Sequence, residues 1–187
     1  SSVLLVKDAG VPLAQEQTNW LHRGFHPYEV EPLMELTLDR DWKNETDYFA
    51  AFKTKFRTKA LSVRSRSASC RSVSVRADNW DLWLPSLQDL YQQVESRAGF
   101  KLHPFPLGTM KTWLTTAAEF VHLSVYLHGE DDQPVGFRFG WMHRGALHAL
   151  FVGMDYSQHK DLCVYPRMLY DFVEYAIEHQ AETVHLG

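Results

Sequence analysis

The stretch from Val121 to Val152 constrains the fold most, because its apolar and polar residues alternate in three short runs separated by tight-turn residues. Alternation with period two sends successive side chains to opposite faces, so the stretch predicts a three-stranded antiparallel meander. After it come Gly153-Met154-Asp155-Tyr156, a polar loop from Ser157 to Val164, one amphipathic helix, and a returning strand from Thr183 to Gly187. In the helix Leu169, Phe172, Val173, Ala176 and Ile177 form an apolar stripe, opposite a polar one of Arg167, Asp171, Glu174 and Glu178. Pro166 suits the first helical position, where a missing N–H costs nothing. A meander, a loop, a helix and a returning strand make a surface on which a ligand can lie at a helix N-terminus.

The meander also fixes an expected register. With Arg144-Gly145 as a two-residue turn, Trp141 faces His148 and Phe139 faces Leu150; with Gly129 to Gln133 as the other turn, Val125 faces Phe137. One sheet face then holds Val121, Leu123, Val125, Leu127, Val135, Phe137, Phe139, Trp141, Leu150 and Val152, and reads as core. The opposite face has small residues at Gly136, Gly140 and Ala149, which leave room for close approach to the sheet. His122, Ser124, Tyr126 and Arg138 rim that room and are the candidate substrate pocket. The competing reading is a helix packed there, with Arg138 paired to a carboxylate. A strand bulge would shift the whole register.

Upstream, Val3 to Lys7 predicts a short strand, Asp8 to Arg23 a turn and helix, and Tyr28 to Leu38 an extended segment interrupted by Pro32. A helix starts near Asn44 or Thr46, either of which could cap it, and carries Phe49, Phe52, Phe56 and Ala60 at helical spacing. Arg71 to Arg76 alternates as a strand. Trp83 to Ala98 reads as a helix with Leu87, Leu90, Tyr91 and Val94 buried and Gly99 as its stop. Thr109 to Glu119 reads as a shorter helix.

Charge is segregated. Eight basic residues and no acidic one lie between Lys53 and Arg76, which leaves 11 basic and 23 acidic residues elsewhere. Such a patch attracts phosphates or a polyanion, with Lys55, Lys59 and Arg66 as candidate anion-binding residues; a solvated helix face is the plainer alternative. Phe56 is the lone aromatic in the helical part, too few for a single-strand stacking platform. None of the ten histidines sits in His-x₃-His on a helix or with a Cys pair, so no metal is expected. The nucleophile-elbow, phosphate-loop and dinucleotide-turn motifs are absent, which removes support for hydrolase and nucleotide-binding readings. No apolar run has the length of a membrane span. Cys70 and Cys163 read as reduced thiols of a cytoplasmic protein. An apolar run at the very start, without a Met, and a strand-final Gly187 are expected of an excerpt from a longer chain.

Several segments in order resemble one family. They are Val6-Lys7-Asp8, Arg23-Gly24-Phe25, Asp47-Tyr48-Phe49 leading into Lys55-Phe56-Arg57, Leu90 to Val94, Pro134 to Phe137, Gly153 to Tyr156, Tyr175-Ala176-Ile177 and the closing Leu186-Gly187. Their order and spacing resemble an acyl-CoA N-acyltransferase (GNAT-type) domain, in the bacterial branch related to Fem-type peptidoglycan aminoacyltransferases. The resemblance implies an α/β (α+β) fold with a mixed, largely antiparallel central sheet and helices on both faces. It also implies two such domains per full-length member, with residues 1–40 as a junction segment ending a preceding domain. Residues 41–187 are then a C-terminal acyltransferase-like domain, truncated at its end.

The activity implied is acyl or aminoacyl transfer to an amine, with acyl-CoA or aminoacyl-tRNA as donor and a small molecule or envelope precursor as acceptor. Two departures bear on this. The Gln/Arg-x-x-Gly-x-Gly/Ala pyrophosphate turn is missing between Gly153 and Tyr165, and the tyrosine that often protonates the leaving thiol lies beyond the last strand. By resemblance, Phe151, Val152 and Gly153 offer backbone N–H groups to the acyl carbonyl, while Pro166 and Arg167 sit where the donor meets the helix start. Asp155 or His148 is the candidate base, and Tyr156 or Tyr165 the candidate proton donor. The alternative is a non-catalytic half that binds an anionic ligand or tRNA through the basic segment.

Overall fold

The structure, a computed structural model, describes residues 20–26, 33–99 and 105–187. The expected strand at Val3 to Lys7 and most of the expected segments up to residue 32 lie outside these residues. The chain divides into two compact units, Ser1–Pro32 and Leu33–Gly187. In the first, a helical turn at residues 20–22 is closed by Phe25 set edge-on against Trp20, with ring centroids 4.9 Å apart.

In the second unit six strands form one sheet: β1 (Glu35–Thr37), β2 (Cys70–Ser74), β3 (Val121–His128), β4 (Gln133–His143), β5 (Ala146–Met154) and β6 (Thr183–His185), in the order β1-β6-β5-β4-β3-β2. Every neighbouring pair is antiparallel except β5 with β6. The described helices are α1 (Glu45–Ala50), α2 (Thr54–Arg66), α3 (Trp80–Glu95), α4 (Gly108–Thr116), the single turn α5 (His159–Leu162) and α6 (Val164–Glu178). Apolar residues of α3 and α4 (Trp80, Leu87, Leu90, Met110, Leu114) cover one face of the sheet over Leu123, Val125, Phe137 and Phe139. On the other face α1, α2 and α6 cover Leu147 and Val184. The fold is the mixed, largely antiparallel α/β sheet with helices on both faces.

The meander follows its expected turns. Arg144 and Gly145 both take positive φ, 48° and 77°, as a two-residue hairpin turn whose twist matches the strands requires. Trp141 faces His148 and Val125 faces Phe137. Two bulges change the remainder. One sits between Phe139 and Gly140, so Phe139 faces Phe151 rather than Leu150. Leu150, expected in the core, is 43% exposed, and Phe151 takes its place under α3 and α4. The other bulge pairs Leu127 with Pro134, which turns Val135 to the α6 side beside Tyr126 and Met168. Val152 also packs on that side.

Helix boundaries move for local reasons. Asn44 caps α1 through its side-chain oxygen, 2.8 Å from the Thr46 N–H and 3.3 Å from that of Asp47. The single helix expected through Ala60 is two. Arg57 donates to the Ala50 and Phe52 carbonyls at 3.3 and 3.0 Å, satisfying backbone acceptors where α1 ends, and Phe56 is left 53% exposed. α3 starts at Trp80, three residues earlier than expected, and ends before Gly99. In α6 the buried stripe uses Met168 where Leu169 was expected, and Pro166 is the third residue rather than the first. Asp171, expected on the solvent side, is 6% exposed.

Candidate functional site

Strand β6 pairs with β5 only from Ala146 to His148, whereas β5 continues to Met154. Beyond His148 the β6-side edge of β5 therefore has no strand partner among the described residues, and the bulge at Leu150 falls at the start of this open edge. The last paired residues, His148 and His185, stack with ring centroids 4.6 Å apart and planes 4° from parallel. Burial lowers the His148 pKa, and His185 and His143 lower it further, so its imidazole is neutral at pH 7. Nδ1 of His185 lies 3.5 Å from a Glu35 carboxylate oxygen.

The side chains expected to meet a donor are mostly committed to packing. Phe151 stacks on Phe105 at 4.2 Å. A Cβ on Gly153 would stand 2.2 Å from the Phe137 ring and 2.9 Å from the Leu90 backbone, so glycine is required there for α3 to lie close to β5. Only the backbone of this stretch remains for a ligand. Arg167 was expected to add a free positive charge at the helix start. Its guanidinium instead donates to the Ser67 and Cys70 carbonyls at 2.7 and 3.2 Å and lies 3.4 Å from Asp171. Pro166 is half-buried and Tyr165 40% exposed.

The catalytic candidates do not form one cluster. His148 and Asp155 lie at opposite ends of β5, roughly 20 Å apart at the rise of an extended strand. Asp155 shapes the turn into α5: its carboxylate accepts from the Ser157 N–H at 2.8 Å and the Ser157 hydroxyl at 2.7 Å. Tyr156 donates its backbone N–H to Gln93, and its ring lies under the Arg97 guanidinium at 3.9 Å. Of these four candidates, His148 alone lies where β5 and β6 part.

On the β2–β3 side of α6 lies a cavity of about 310 Å³, lined by strand residues including Ser72, Ser74, His122, Ser124 and Arg138 and by the α6 face that runs from Arg167 to Glu178. Three of the four expected pocket residues line it; the fourth, Tyr126, is fully buried beneath and donates its hydroxyl to Asp171 at 2.6 Å. The expectation of a helix packed on the glycine face also describes this structure. A Cβ on Gly136 would meet Met168 and Val164, and one on Gly140 would meet Phe172. Arg138, however, has no carboxylate partner among the described residues. It is 6% exposed, its Nε and Nη1 find no hydrogen-bond acceptor, and it lies 5.0 Å from the centre of the Phe172 ring.

Beside the cavity Asp171 is held by Arg64, the Tyr126 hydroxyl and Arg167. Burial pushes its carboxyl up, but these partners outweigh burial and hold it below the usual carboxylate range. Arg64 also donates from Nε to both Glu45 oxygens, at 2.7 and 2.8 Å, and reaches Glu174 at 3.3 Å. His122 is lowered to about 3, chiefly by burial and then by Arg138, and its Nε2 lies 2.8 Å from the Ser124 hydroxyl. Sequence reasoning missed Arg64, Glu45 and Tyr175 as parts of this site. The available signal was Asp171 itself, a carboxylate directly beside the apolar Phe172 and Val173.

The basic segment is partly consumed by the fold. Arg57, Arg64 and Arg66 bond within the unit, Arg66 to the Lys160 carbonyl, and Arg71 pairs with Asp132 at 2.6 Å. Lys55 and Lys59 are exposed, with no ion-pair partner among the described residues. No cluster of three or more His, Cys, Asp or Glu side chains suited to a metal ion occurs among the described residues. Nor is any described helix long and apolar enough to cross a membrane.

A family model described as an acetyltransferase (GNAT) domain matches residues 54–187. Among solved structures the chain is similar to FemX, with 12% identity and a TM-score of 0.65 over 93% of this chain and 60% of that one. It is also similar to L-PGS from Bacillus licheniformis, with 12% identity and a TM-score of 0.59 over 92% of this chain and 49% of that one. A third similar structure is the C-terminal domain of a putative lysylphosphatidylglycerol synthetase from Agrobacterium fabrum, with 13% identity and a TM-score of 0.50 over 83% and 45%. The chain thus spans about half to three-fifths of the length of the first two. No curated protein matches it.

Proposed function

The chain belongs to the acetyltransferase (GNAT) domain family, and from that premise we propose that residues 41–187, with β1 added to their sheet, transfer an acyl or aminoacyl group to an amine in the cytoplasm, while the residues before β1 join them to a preceding domain. The observation that carries this reading is the open edge of β5, bulged at Leu150 and parted from β6 just past the stacked pair His148 and His185. An unpaired strand edge presents backbone N–H and C=O groups in a row. An extended donor arm can pair with it, and the N–H groups can polarise an acyl carbonyl.

The chemistry needs an unprotonated amine. His148, neutral at the mouth of the opening, accepts the proton that the acceptor ammonium must lose. The amine nitrogen then bonds to the acyl carbon, the oxyanion of the tetrahedral intermediate is held by β5 N–H groups, and the bond to the leaving sulfur or oxygen breaks. The acceptor nitrogen sheds two protons, one to His148 before it bonds to carbon and one afterwards; one of them goes to the leaving group and the other to water. The donor is a thioester of coenzyme A or an aminoacyl-tRNA ester. One structural neighbour is the C-terminal domain of a putative lysylphosphatidylglycerol synthetase, a name that describes a lysyl group carried on a lipid and so speaks for an aminoacyl donor.

The test is binding and turnover with acetyl-CoA and with aminoacyl-tRNA, read by mass spectrometry on a panel of amines. At least one donor is expected to bind and to acylate an amine, with His148→Gln slowing transfer about a hundredfold. Failure of both donors to bind overturns the reading. Binding of tRNA without transfer to any amine favours a non-catalytic polyanion-binding half, for which the exposed Lys55 and Lys59 speak.

A further inference from the structure

The cavity beside α6 lies away from the opening between β5 and β6. In the sheet order β6-β5-β4-β3-β2, the apolar side of α6 (Phe172, Val173, Ala176) packs with Leu147 of β5 and Val184 of β6, while Asp171, Glu174, Tyr175 and Glu178 line the cavity with residues of β2 to β4. The acyl-transfer steps at the β5 edge use none of its lining residues, although His122, Ser124 and Arg138 were expected to rim a substrate pocket and Arg167 to meet the donor.

Its charges have been spent unequally. Asp171 is balanced by Arg64 and Arg167, Arg167 by Asp171 and two carbonyls, and Glu174 by Arg64. Two lining charges of opposite sign remain without an ion pair among the described residues, the buried Arg138 and the exposed Glu178. Tyr175 stands between them. Its ring centre is 5.8 Å from the Arg138 guanidinium, and its hydroxyl, pushed up mainly by burial, is drawn down by Arg138 and raised further by Glu178.

A buried guanidinium with two unsatisfied nitrogens is costly, and the faces of Phe172 and Tyr175 offset only part of that cost. The neutral His122 and the hydroxyls of Ser72, Ser74 and Ser124 add hydrogen-bonding capacity without charge. A volume of about 310 Å³ is at the small end of ligand pockets and suits a small polar molecule rather than a polymer.

We propose that this cavity binds a small zwitterion of the α-amino-acid class, its carboxylate on Arg138 and its ammonium facing Glu174 and Glu178. A carboxylate completes the planar donor fork of the guanidinium, and an ammonium at the rim meets the acidic end of the α6 face. Removing either charge from the ligand leaves one of the two protein charges unmatched.

The test is calorimetry of the whole chain with L-alanine, L-lysine and L-glutamate, each compared with its N-acetyl form and its α-amide. At least one free amino acid is expected to bind, its N-acetyl and amide forms weaker, and Arg138→Met is expected to weaken it by roughly tenfold or more. Glu178→Gln, at an exposed position that cannot unfold the chain, is expected to weaken the free amino acid but not the N-acetyl form. Resonances of the Tyr175 and His122 rings are expected to shift on titration of the unaltered protein. Absence of binding by all three amino acids overturns the proposal, as does equal affinity for the N-acetyl forms, which makes the cavity an anion site only. Donor binding is measured in the same preparations, so loss of the acyl-transfer reading is seen separately from loss of this one.

Discussion

The two faces of the central sheet are built on different principles. Under α3 and α4 the face is closed by rings: Phe105, Trp113, Phe139, Trp141 and Phe151 stack, tilt or meet edge to face at 4.2 to 6.2 Å, while the buried charged side chains among the described residues, Arg138 and Asp171, lie on the other face. Under α6 the face holds apolar packing at Gly136 and Gly140, but beside it a set of ions, the buried Asp171 and Arg138 and the half-buried Arg64 and Arg167. The first arrangement stabilises through apolar area removed from water. The second spends part of that gain on desolvating charge, which stabilises a fold poorly and positions polar groups well. The dry face is scaffold, and the cavity face is where specificity is expected.

The largest effect expected from that contrast is on the dry face. Phe139 is fully buried and touches both Trp113 and Phe151. Phe139→Ala is expected to destabilise the unit by about 3–5 kcal/mol in urea unfolding. A loss under about 1 kcal/mol would mean that the ring cluster can collapse, and that the two faces differ less than they look.

On the cavity face the sharper variant is Asp171→Ala. It removes the acceptor of the buried Tyr126 hydroxyl and one partner of two half-buried guanidiniums, but Arg64 keeps Glu45 and Glu174 and Arg167 keeps two carbonyls, so the expected cost is about 1–3 kcal/mol. The pH dependence has a definite sign. Because the carboxyl of Asp171 is held below its ordinary range in the fold, its contribution is fully present above the unfolded value near pH 4 and is lost as pH falls through the folded value. Acid unfolding of the unaltered protein is therefore expected to steepen below about pH 4, and Asp171→Asn to remove that steepening. An unchanged acid profile in the Asn variant would place the acid sensitivity elsewhere.

How much of this was legible beforehand follows from the range of the interactions. Turns are local, so Arg144-Gly145 and the pairing of Trp141 with His148 could be read from spacing. Bulges are not, because whether β5 takes an extra residue at Leu150 depends on Phe151 finding Tyr91 on α3 and Phe105 in the loop before α4, both far away in sequence. The pocket rim at His122, Ser124 and Arg138 was visible as polar residues on one strand face. Its electrostatics were not, since Arg64 meets Asp171 across 107 positions of chain and counted, in sequence, only as one more charge of a basic segment. The same long-range pairing explains why Arg167 and Arg66 looked available to a ligand and are engaged by backbone carbonyls.

The smallest effect on stability is expected where the basic segment stays exposed, and there the measurement that matters is binding. Lys55 and Lys59 stand on α2 away from the Arg64 network, so replacing both with Ser should change unfolding free energy by no more than about 0.5 kcal/mol. If the segment docks a polyanion such as tRNA, affinity should fall steeply with salt, and the slope should decrease by close to one unit for each lysine removed. A coenzyme A thioester presents few phosphates and should show a shallow slope that the double variant leaves unchanged. Four of the eight basic residues between Lys53 and Arg76 are already held by carbonyls or carboxylates of the same unit, which leaves a short row of charge. That favours the shallow case. A steep slope that flattens in the double variant would overturn it, and would give the exposed side of α2 a part in donor capture.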